Sequence, residues 1–422
     1  MSKFEGYRCS VCGEEYAFDK VTYTCPSDGG NLDVVLDYEA LKKKYQPEDV
    51  TSRRDFSLWR YEPLLPVTAP AGSGTPLHAA GWTPVYALPR LASRLGLDHV
   101  WLKDESRNPT ASFKDRASAI VVRRAQEIES DTVVTASTGN AGAALAGMAA
   151  AVGQKAVIFA PKSAPPAKVS QLLVFGARVL LVDGTYDDAF DLTINAAQEF
   201  GWYCRNTGYN PFTAEGKKTA ALEIWEWWQA AYHELHQGSG MESDHAPLTI
   251  FVSVGDGNII SGLHKGFKDL LELGWIARMP RIFGVQAQGS AAIANAFYAN
   301  TETITSVSAN TLADSISVDL PRDGVRAVRA ARETSGGYVT VTDDEIIRAI
   351  AALGSAGVFA EPAGAASYAG LVKASASGEV GPEDPILVVN TGSGLKDVKS
   401  AMRAVAEAPI IQPTMQAVRR AL

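Results

Sequence analysis

From Trp82 onward, short apolar segments rich in β-branched residues alternate with longer segments of helical periodicity. The apolar segments are nearly continuous in hydrophobicity, which is typical of parallel strands that are covered on both faces. They are His99–Lys103, Thr132–Ala136, Ala156–Phe159, Val179–Val182, Ile250–Val254, Ile282–Val285 and Ile386–Val389. The helical segments are Lys114–Glu127, Ala141–Val152, Ala167–Phe175, Asp187–Glu199, Lys218–Trp228 and Ile259–Leu271. This alternation predicts α/β layers joined by right-handed crossovers.

The length of the chain predicts more than one domain. With 422 residues it exceeds the size at which a single hydrophobic core keeps growing. A hydrophobic content of 46% with 20% charged residues is typical of a globular protein with a buried core. The polar segments at residues 236–246 and 374–384 are predicted to be loops exposed to solvent.

The net charge of −8 argues against nucleic acid or an anionic membrane as a partner, because neither is attracted by an acidic surface. No segment approaches the roughly 20 apolar residues that a membrane span requires. The first residues lack the apolar run of a signal peptide. Four cysteines in so long a chain do not form a disulfide framework. We therefore expect a cytoplasmic protein.

The first forty residues differ in kind from the rest. Cys9-x-x-Cys12 followed by Cys25 has the outline of a small zinc ribbon, in which two short loops supply thiolates to one metal ion. Asp28 occupies the position of the fourth thiolate, although structural sites with three sulfurs prefer histidine or cysteine there. We expect a ribbon that has lost its metal and kept its fold. A zinc site with Asp28 as fourth ligand is the alternative.

A glycine-rich loop, Gly255-Asp256-Gly257-Asn258, joins a predicted strand to a predicted helix that starts at Ile259. Such a loop can bind phosphate, because its backbone N–H groups and the helix dipole converge on an anion. The spacing lacks the third glycine of the dinucleotide fingerprint, and no Gly-Lys-Ser/Thr follows as in a P-loop. A turn without a ligand is the alternative. The Asp256 side chain should point away from a bound phosphate or contact a cation.

Lys114 lies where a loop meets the start of a predicted helix, between Phe113 and the pair Asp115-Arg116. A positive charge is mildly unfavourable at a helix N-terminus. An amine that is desolvated there would have a lowered pKa and a higher nucleophilicity. The alternative for any such lysine is a solvated charge.

Two further polar turns follow predicted strands. The first, Ser137-Thr138-Gly139-Asn140, can cap the next helix or use the same free N–H groups to bind a carboxylate. The second begins at Thr391, whose hydroxyl could bond a ring nitrogen, and its alternative is an ordinary strand-to-helix turn.

Taken together, these segments resemble the fold-type II (tryptophan synthase β-like) enzymes that depend on pyridoxal 5′-phosphate (PLP), and most closely the threonine synthases among them. Asn108–Arg116 matches the lysine motif of the family except for Ala111, where the family has glycine. The other matching segments are Ser137–Asn140, Asn210-Pro211-Phe212, Glu215–Thr219, Glu361-Pro362-Ala363 and Thr391–Asp397. A similar cysteine ribbon precedes the catalytic domains of many bacterial and archaeal threonine synthases.

The resemblance implies two open three-layer α/β domains after a zinc-ribbon-like segment at residues 1–40. The large domain would comprise residues 41–100 and 208–422, and the small inserted domain residues 101–207. It implies that Lys114 is the catalytic lysine and holds PLP as a Schiff base. The other implied cofactor contacts are Phe113, Asn140, Gly255, Asp256, Gly257, Asn258, Ile259 and Thr391. The implied substrate contacts are Ser137, Thr138, Gly139 and Lys103.

The implied activity is the conversion of O-phospho-L-homoserine and water to L-threonine and phosphate, in a homodimer. Lys103, Arg107, Ser137 and Lys162 are the candidates for binding the substrate phosphate. Asp256 and Trp82 depart from the family pattern and bear on which amino acid is processed. The alternatives are a threonine or serine ammonia-lyase, a β-replacement enzyme of the cysteine or cysteate synthase kind, and a non-catalytic binding protein derived from this fold.

Overall fold

The computed structural model describes residues 4–72, 74–164, 166–235 and 247–422, and the loop predicted at residues 236–246 lies outside them. The strands are β1 (Phe4–Cys9), β2 (Glu15–Ala17), β3 (Leu32–Leu36), β4 (Val85–Ala87), β5 (Val100–Asp104), β6 (Thr132–Ala136), β7 (Lys155–Pro161), β8 (Arg178–Val182), β9 (Tyr203–Cys204), β10 (Thr249–Ser253), β11 (Arg281–Ala287), β12 (Gly337–Val341) and β13 (Ile386–Asn390).

The α-helices are α1 (Tyr38–Lys44), α2 (Pro47–Thr51), α3 (Pro89–Leu95), α4 (Lys114–Glu127), α5 (Asn140–Ala150), α6 (Pro166–Val174), α7 (Tyr186–Phe200), α8 (Phe212–Leu235), α9 (Asn258–Glu272), α10 (Ala292–Tyr298), α11 (Gly324–Glu333), α12 (Asp343–Ser355), α13 (Pro362–Ser377), α14 (Val398–Met402) and α15 (Met415–Ala421). Within the described ranges, no helix combines the length and the apolar character that crossing a membrane requires.

A six-stranded sheet forms the centre of the larger α/β unit, in the order β12-β11-β10-β13-β5-β4. Its neighbouring strands are parallel except for the edge strand β4, which pairs antiparallel with β5. Every residue of β10 and β13 is buried, as the continuous apolar segments predicted. These two strands lie side by side in the middle of the sheet, so their carboxyl ends open at the same point.

The smaller α/β unit contains a four-stranded parallel sheet in the order β8-β7-β6-β9. Strand β5 does not belong to this sheet, because it pairs with β13 in the larger one. The predicted domain boundary at residue 101 therefore falls inside a strand of the larger sheet. The chain passes from the large sheet to the small one only after Asp104.

Helices α8 and α9 pack closely because glycines in α9 face α8. A Cβ atom on Gly262 would lie 2.5 Å from the Cβ atom of Lys217, and one on Gly266 would lie 2.7 Å from that of Ala221. Glycine lets two helix backbones approach in this way. The contact fixes the position of α9, and with it the glycine-rich loop at its start.

The N-terminal segment forms a small antiparallel sheet in the order β2-β1-β3. It packs on the two α/β units rather than standing apart from them. The rings of Phe4 and Phe212 meet edge to face at 6.0 Å, and the Tyr23 hydroxyl accepts a hydrogen bond from the backbone N–H of Cys204 at 2.9 Å. The segment is thus anchored near both α/β units.

Candidate active site

A cavity of about 510 Å³ opens where the carboxyl ends of β6, β10 and β13 meet. Ligands of open α/β sheets bind at such strand ends, and this volume suits a small-molecule ligand. Of the residues predicted to contact cofactor or substrate, all but Lys103 and the phosphate candidates Arg107 and Lys162 line it, namely Phe113, Lys114, Ser137, Thr138, Gly139, Asn140, Gly255, Asp256, Gly257, Asn258, Ile259 and Thr391. The structure therefore brings together segments that are far apart in sequence.

Three of the helices that begin at this cavity have Lys114, Asn140 and Asn258 as their first residues. None of the three has a side-chain cap hydrogen bond at its N-terminus. The first N–H groups of a helix need acceptors, and the helix dipole favours negative charge there. The convergence of three such ends makes the cavity suited to a ligand that carries several negative charges.

Lys114 is half-buried and lines this cavity. Burial, with a smaller contribution from the nearby Arg205 guanidinium, lowers the pKa of Lys114 to about 8. A lysine with this pKa has a substantial fraction of neutral, nucleophilic amine near neutral pH. The sequence-based expectation of a desolvated amine is consistent with this environment.

If the cofactor is PLP, as the resemblance implies, the lowered pKa predicts how fast the apoprotein captures it. The neutral amine becomes more abundant as pH rises, so the rate of covalent capture of PLP should increase with a midpoint near the pKa of about 8 and then level off. The rise of visible absorbance after mixing, followed between about pH 6.5 and 10, measures it. A rate that keeps rising toward the ordinary lysine pKa, about 10.4, would contradict the assigned environment.

The glycine-rich loop is held against the segment that precedes α11. Gly257 has a φ of +91°, and a Cβ atom there would lie 2.5 Å from the carbonyl oxygen of Asp323. The Asp256 carboxylate accepts a hydrogen bond from the backbone N–H of Arg322 at 3.3 Å. Burial raises the pKa of Asp256, and the charges of Lys114 and Lys217 partly oppose this rise. The Asp256 carboxylate thus bonds a backbone donor and lies within the electrostatic influence of Lys114, Lys217 and Arg322.

Asn140 is fixed by a carboxyl group whose role the sequence did not reveal. Its amide Nδ2 donates to Glu361 Oε1 at 2.8 Å and lies 3.4 Å from Ser315 Oγ. Glu361 lines the cavity, and burial raises its pKa to about 7. Glu361 therefore orients the Asn140 amide and can hold a proton close to Lys114.

Thr391 lies at the end of β13 with its hydroxyl 3.4 Å from that of Ser253, at the end of β10. Both residues line the cavity. Two neutral hydroxyls at this point can hydrogen-bond a ring nitrogen without giving it a full positive charge.

Two buried cations were missed by the sequence analysis. Arg205 donates from Nη1 to Thr207 at 2.5 Å, while its Nη2 has no hydrogen-bond partner among the described residues. Lys217 contacts the side-chain oxygen of Asn258, and burial lowers its pKa, as do the charges of Lys114 and Arg205. Neither residue lines the cavity, but both are close enough to Lys114 for the basic groups to influence one another electrostatically. Lys217 belongs to a segment that matches the family, and that match was the available signal.

The prediction that Lys103 contacts the substrate requires correction, because this residue does not line the cavity. Its Nζ lies 2.8 Å from Glu223 Oε2 and 3.0 Å from the carbonyl oxygen of Thr83, in a fully buried network. Glu223 also binds Arg116, whose guanidinium bonds Glu105. The apolar strand pattern could not distinguish a buried ion pair from a lysine that points into a site.

Replacing Lys103 by methionine should therefore reduce stability rather than substrate affinity. Removal of one partner from a buried ionic network costs about 3–5 kcal/mol. Without Lys103, the Arg116 guanidinium faces two carboxylates, Glu105 and Glu223, and one buried negative charge stays uncompensated. We expect a fall of this size in the free energy of unfolding, measured with urea, and a KM within about twofold of that of the unmodified protein. A large increase in KM with unchanged stability would restore the substrate-contact hypothesis.

The three other residues predicted to bind the substrate phosphate do not all lie at the cavity. Ser137 lines the cavity, whereas Arg107 and Lys162 are exposed and are not among the lining residues. Lys162 instead lies 3.4 Å from Asp183 on the surface. The cationic residues that line the cavity are Lys114 and Arg322, and the Arg322 guanidinium is paired with Asp187 at 2.6 Å.

These features fit PLP. The αL conformation of Gly257 and the uncapped start of α9 allow a phosphate to approach the backbone closely. Lys114 offers an amine with a lowered pKa on the same cavity, and Asn140 and Thr391 offer polar groups for the ring. The residues that would hold the group are thus present together.

Comparison with known proteins agrees with this geometry. The family model of pyridoxal-phosphate dependent enzymes matches residues 77–392. The chain is 36% identical over 421 residues to the threonine synthase of Methanocaldococcus jannaschii and 34% identical over 420 residues to that of Methanosarcina acetivorans, with 98% of each chain covered in both cases.

A solved structure supports the same fold. The processed form of threonine deaminase isoform 2 from Solanum lycopersicum superimposes with a TM-score of 0.64 at 22% identity, covering 81% of this chain and 92% of that one. At this identity the likeness concerns the fold alone. Because the family model spans most of the chain and relatives match it along almost its whole length, the chain belongs to the pyridoxal-phosphate-dependent enzymes and, within them, to the threonine synthase family.

Proposed function

We propose that this enzyme converts O-phospho-L-homoserine and water to L-threonine and phosphate. The observation that supports this most strongly is the placement of Lys114, Asn140 and the glycine-rich loop on one cavity, in a chain that resembles threonine synthases over 98% of its length. PLP, when bound, supplies an electron sink for negative charge that develops on the substrate. The chain itself must bind the anions, orient the substrate and move the protons.

Lys114 is the residue to which we assign covalent attachment of the cofactor and proton transfer. If a substrate amine took the place of Lys114 on the bound cofactor, the Lys114 Nζ would be a free base on the same cavity. The lowered pKa of about 8 lets this nitrogen accept a proton near neutral pH and return it later. A single amine can therefore act first as the anchor and then as the general acid and base.

The cofactor phosphate and the substrate α-carboxylate are assigned to the N-termini of two different helices. We assign the cofactor phosphate to the start of α9, where Gly255–Ile259 lie, and the substrate α-carboxylate to Ser137, Thr138 and Gly139 at the start of α5. We assign the substrate phosphate to the outer part of the cavity, where Arg322 lines the wall and the buried Arg205 adds positive potential from behind it.

Two product assays on the purified enzyme test this proposal. O-phospho-L-homoserine should give phosphate and threonine in equal amounts, because phosphate leaves from Cγ and water adds at Cβ. Serine and threonine, supplied without it, should give little 2-oxo acid. Ammonia and a 2-oxo acid from these amino acids, with no phosphate released from O-phospho-L-homoserine, would instead identify an ammonia-lyase.

We further propose that the enzyme works as a homodimer in the cytoplasm and that its chain divides into two α/β domains around the cavity. The division is supported by the two separate sheets, of six and four strands. Sedimentation equilibrium at micromolar concentration would test the dimer.

A further inference from the structure

The Cys9/Cys12/Cys25/Asp28 cluster in the N-terminal segment has the form of a metal site. The three sulfurs and a carboxylate oxygen all lie within 4.8 Å of one another. The segment contains no disulfide, so the three thiols are free to act as ligands. No residue of this cluster takes part in the proposed reaction, and the cluster has no other evident role.

The two loops that carry these residues have the same backbone design. In each, a glycine with positive φ follows the second ligand, Gly13 at +77° and Gly29 at +72°. Each glycine donates its N–H to the carbonyl of the first cysteine of its loop, at 3.1 Å and 2.9 Å. Asp28 therefore occupies in the second loop the position that Cys12 has in the first. Two matched loops that aim four donors at one point are what a four-coordinate ion requires.

The distances within the cluster suit zinc. Zn–S bonds of about 2.3 Å at tetrahedral angles place two sulfurs about 3.8 Å apart, and a Zn–O bond of about 2.0 Å places oxygen about 3.5 Å from sulfur. The Cys12 and Cys25 sulfurs are 3.8 Å apart, and Cys9 Sγ is 3.4 Å from Asp28 Oδ1. Protonated thiols could make the same contacts in a metal-free ribbon, which was the expectation from sequence.

One hydrogen bond at the cluster favours the form that binds metal. The backbone N–H of Val11 points at Cys9 Sγ at 3.3 Å, and the Tyr16 hydroxyl lies 3.1 Å from Cys25 Sγ. The Val11 N–H donor stabilises the Cys9 thiolate, the form that binds metal, whereas the Tyr16 hydroxyl donates its proton to Glu14 at 2.7 Å. A Cβ atom on Gly30 would lie 2.8 Å from Cys9 Sγ and 2.9 Å from Asp28 Oδ1, so only glycine leaves room beside the ligands.

The cluster is also connected to the wall of the active site. Arg326 bonds Asp33 of the ribbon at 2.7 Å and Asp323 at 2.6 Å, and Asp323 accepts a hydrogen bond from Asn258 at 2.6 Å. Asn31, directly after the second loop, donates to the carbonyl of Arg322 at 3.0 Å. A metal ion that fixes the two loops would thus also stabilise the position of Arg322 and Asp323, which bond the glycine-rich loop.

We propose that Cys9, Cys12, Cys25 and Asp28 bind one structural zinc ion that holds the ribbon against the segment of Arg322 and Asp323. Zinc is preferred to other metals because the site is tetrahedral and rich in thiolate. The ion has no part in the chemistry at Lys114.

Elemental analysis of the full-length holoenzyme, produced in medium that contains zinc, tests the proposal. We expect about one zinc per chain and a fall in Tm on treatment with a strong chelator that added zinc reverses. Cys12→Ser should lose the zinc, and because Cys12 is exposed the variant opens no cavity in the core. Cys204→Ala removes a cysteine outside the cluster and should keep the zinc.

Substitutions of Asp28 provide the sharper comparison. Asp28→Cys should slow the loss of zinc to chelator at least tenfold, since it completes a four-thiolate site, and Asp28→Asn should accelerate it. Iron in place of zinc, or less than about one tenth of an equivalent of any metal together with a Tm that does not respond to chelator, would overturn the proposal. Both readouts are independent of enzymatic activity.

Discussion

Replacing Lys114 by alanine should abolish the visible absorbance of the purified enzyme and lower kcat at least about 10³-fold. The substitution removes the only amine that lines the cavity within the described chain. It therefore removes both the covalent anchor of the cofactor and the base for the substrate α-proton. A general base alone usually contributes about 10²–10⁴-fold, and loss of the covalent anchor adds to this, so the loss should lie in the upper part of that range or above it.

Absorbance spectra and a phosphate-release assay measure this effect, with Lys155→Ala as the matched control. Lys155 is exposed, pairs only with Asp131 on the surface, and should leave both readouts unchanged. Helix α4 starts at Lys114, and alanine is a good helix former, so the fold should persist. A Lys114→Ala enzyme that retained colour and turnover would place the catalytic lysine elsewhere.

Replacing Gly257 by alanine should weaken cofactor binding by at least tenfold and reduce stability. The φ of +91° costs a residue with a side chain about 1–3 kcal/mol, and the clash with the Asp323 carbonyl adds a comparable amount. Relief of that clash must move the loop or the segment before α11. Either movement displaces the backbone N–H groups assigned to the phosphate.

Gly274→Ala is the matched control for this effect, because Gly274 lies just beyond the other end of the same helix. Its φ is +73°, but no atom lies within 4 Å of the Cβ position. The control should lose about 1 kcal/mol of stability from backbone strain alone and keep its affinity for PLP. Titration of the apoproteins with PLP, followed by absorbance, gives both affinities. Equal affinities for the two variants would show that the glycine-rich loop does not hold the cofactor.

Most of the fold around the site could be predicted from sequence, since buried parallel strands and their helices carry strong local patterns. Helix α4 and strand β6 have the bounds predicted, and the glycine-rich loop lies between a strand and a helix as expected. No element was predicted between residues 290 and 380, where α11, β12, α12 and α13 lie. Helix α13 is rich in alanine and glycine and buried almost throughout, so it has little amphipathic periodicity to detect.

The site was harder to predict where it depends on long-range contacts. Lys114 and Thr391 belong to conspicuous turns, whereas Arg205 and Glu361 acquire their roles only when distant segments meet. Lys103 is the opposite case, because it was predicted to contact the substrate and instead pairs with Glu223, which is 120 residues away. Ala111 is a related case, because its φ of +64° explains why the family has glycine at this position. Contacts between residues so far apart in the chain cannot be predicted from the local sequence.

The most direct test of the central claim is reduction of the native holoenzyme with borohydride, followed by peptide mapping. Borohydride converts the bond between the cofactor aldehyde and a lysine amine into a stable one, so the attached residue can be identified by mass. We predict that the modified peptide contains Lys114 and that one cofactor is attached per chain. Attachment to a different lysine, or to none, would contradict the assignment of this cavity as the active site.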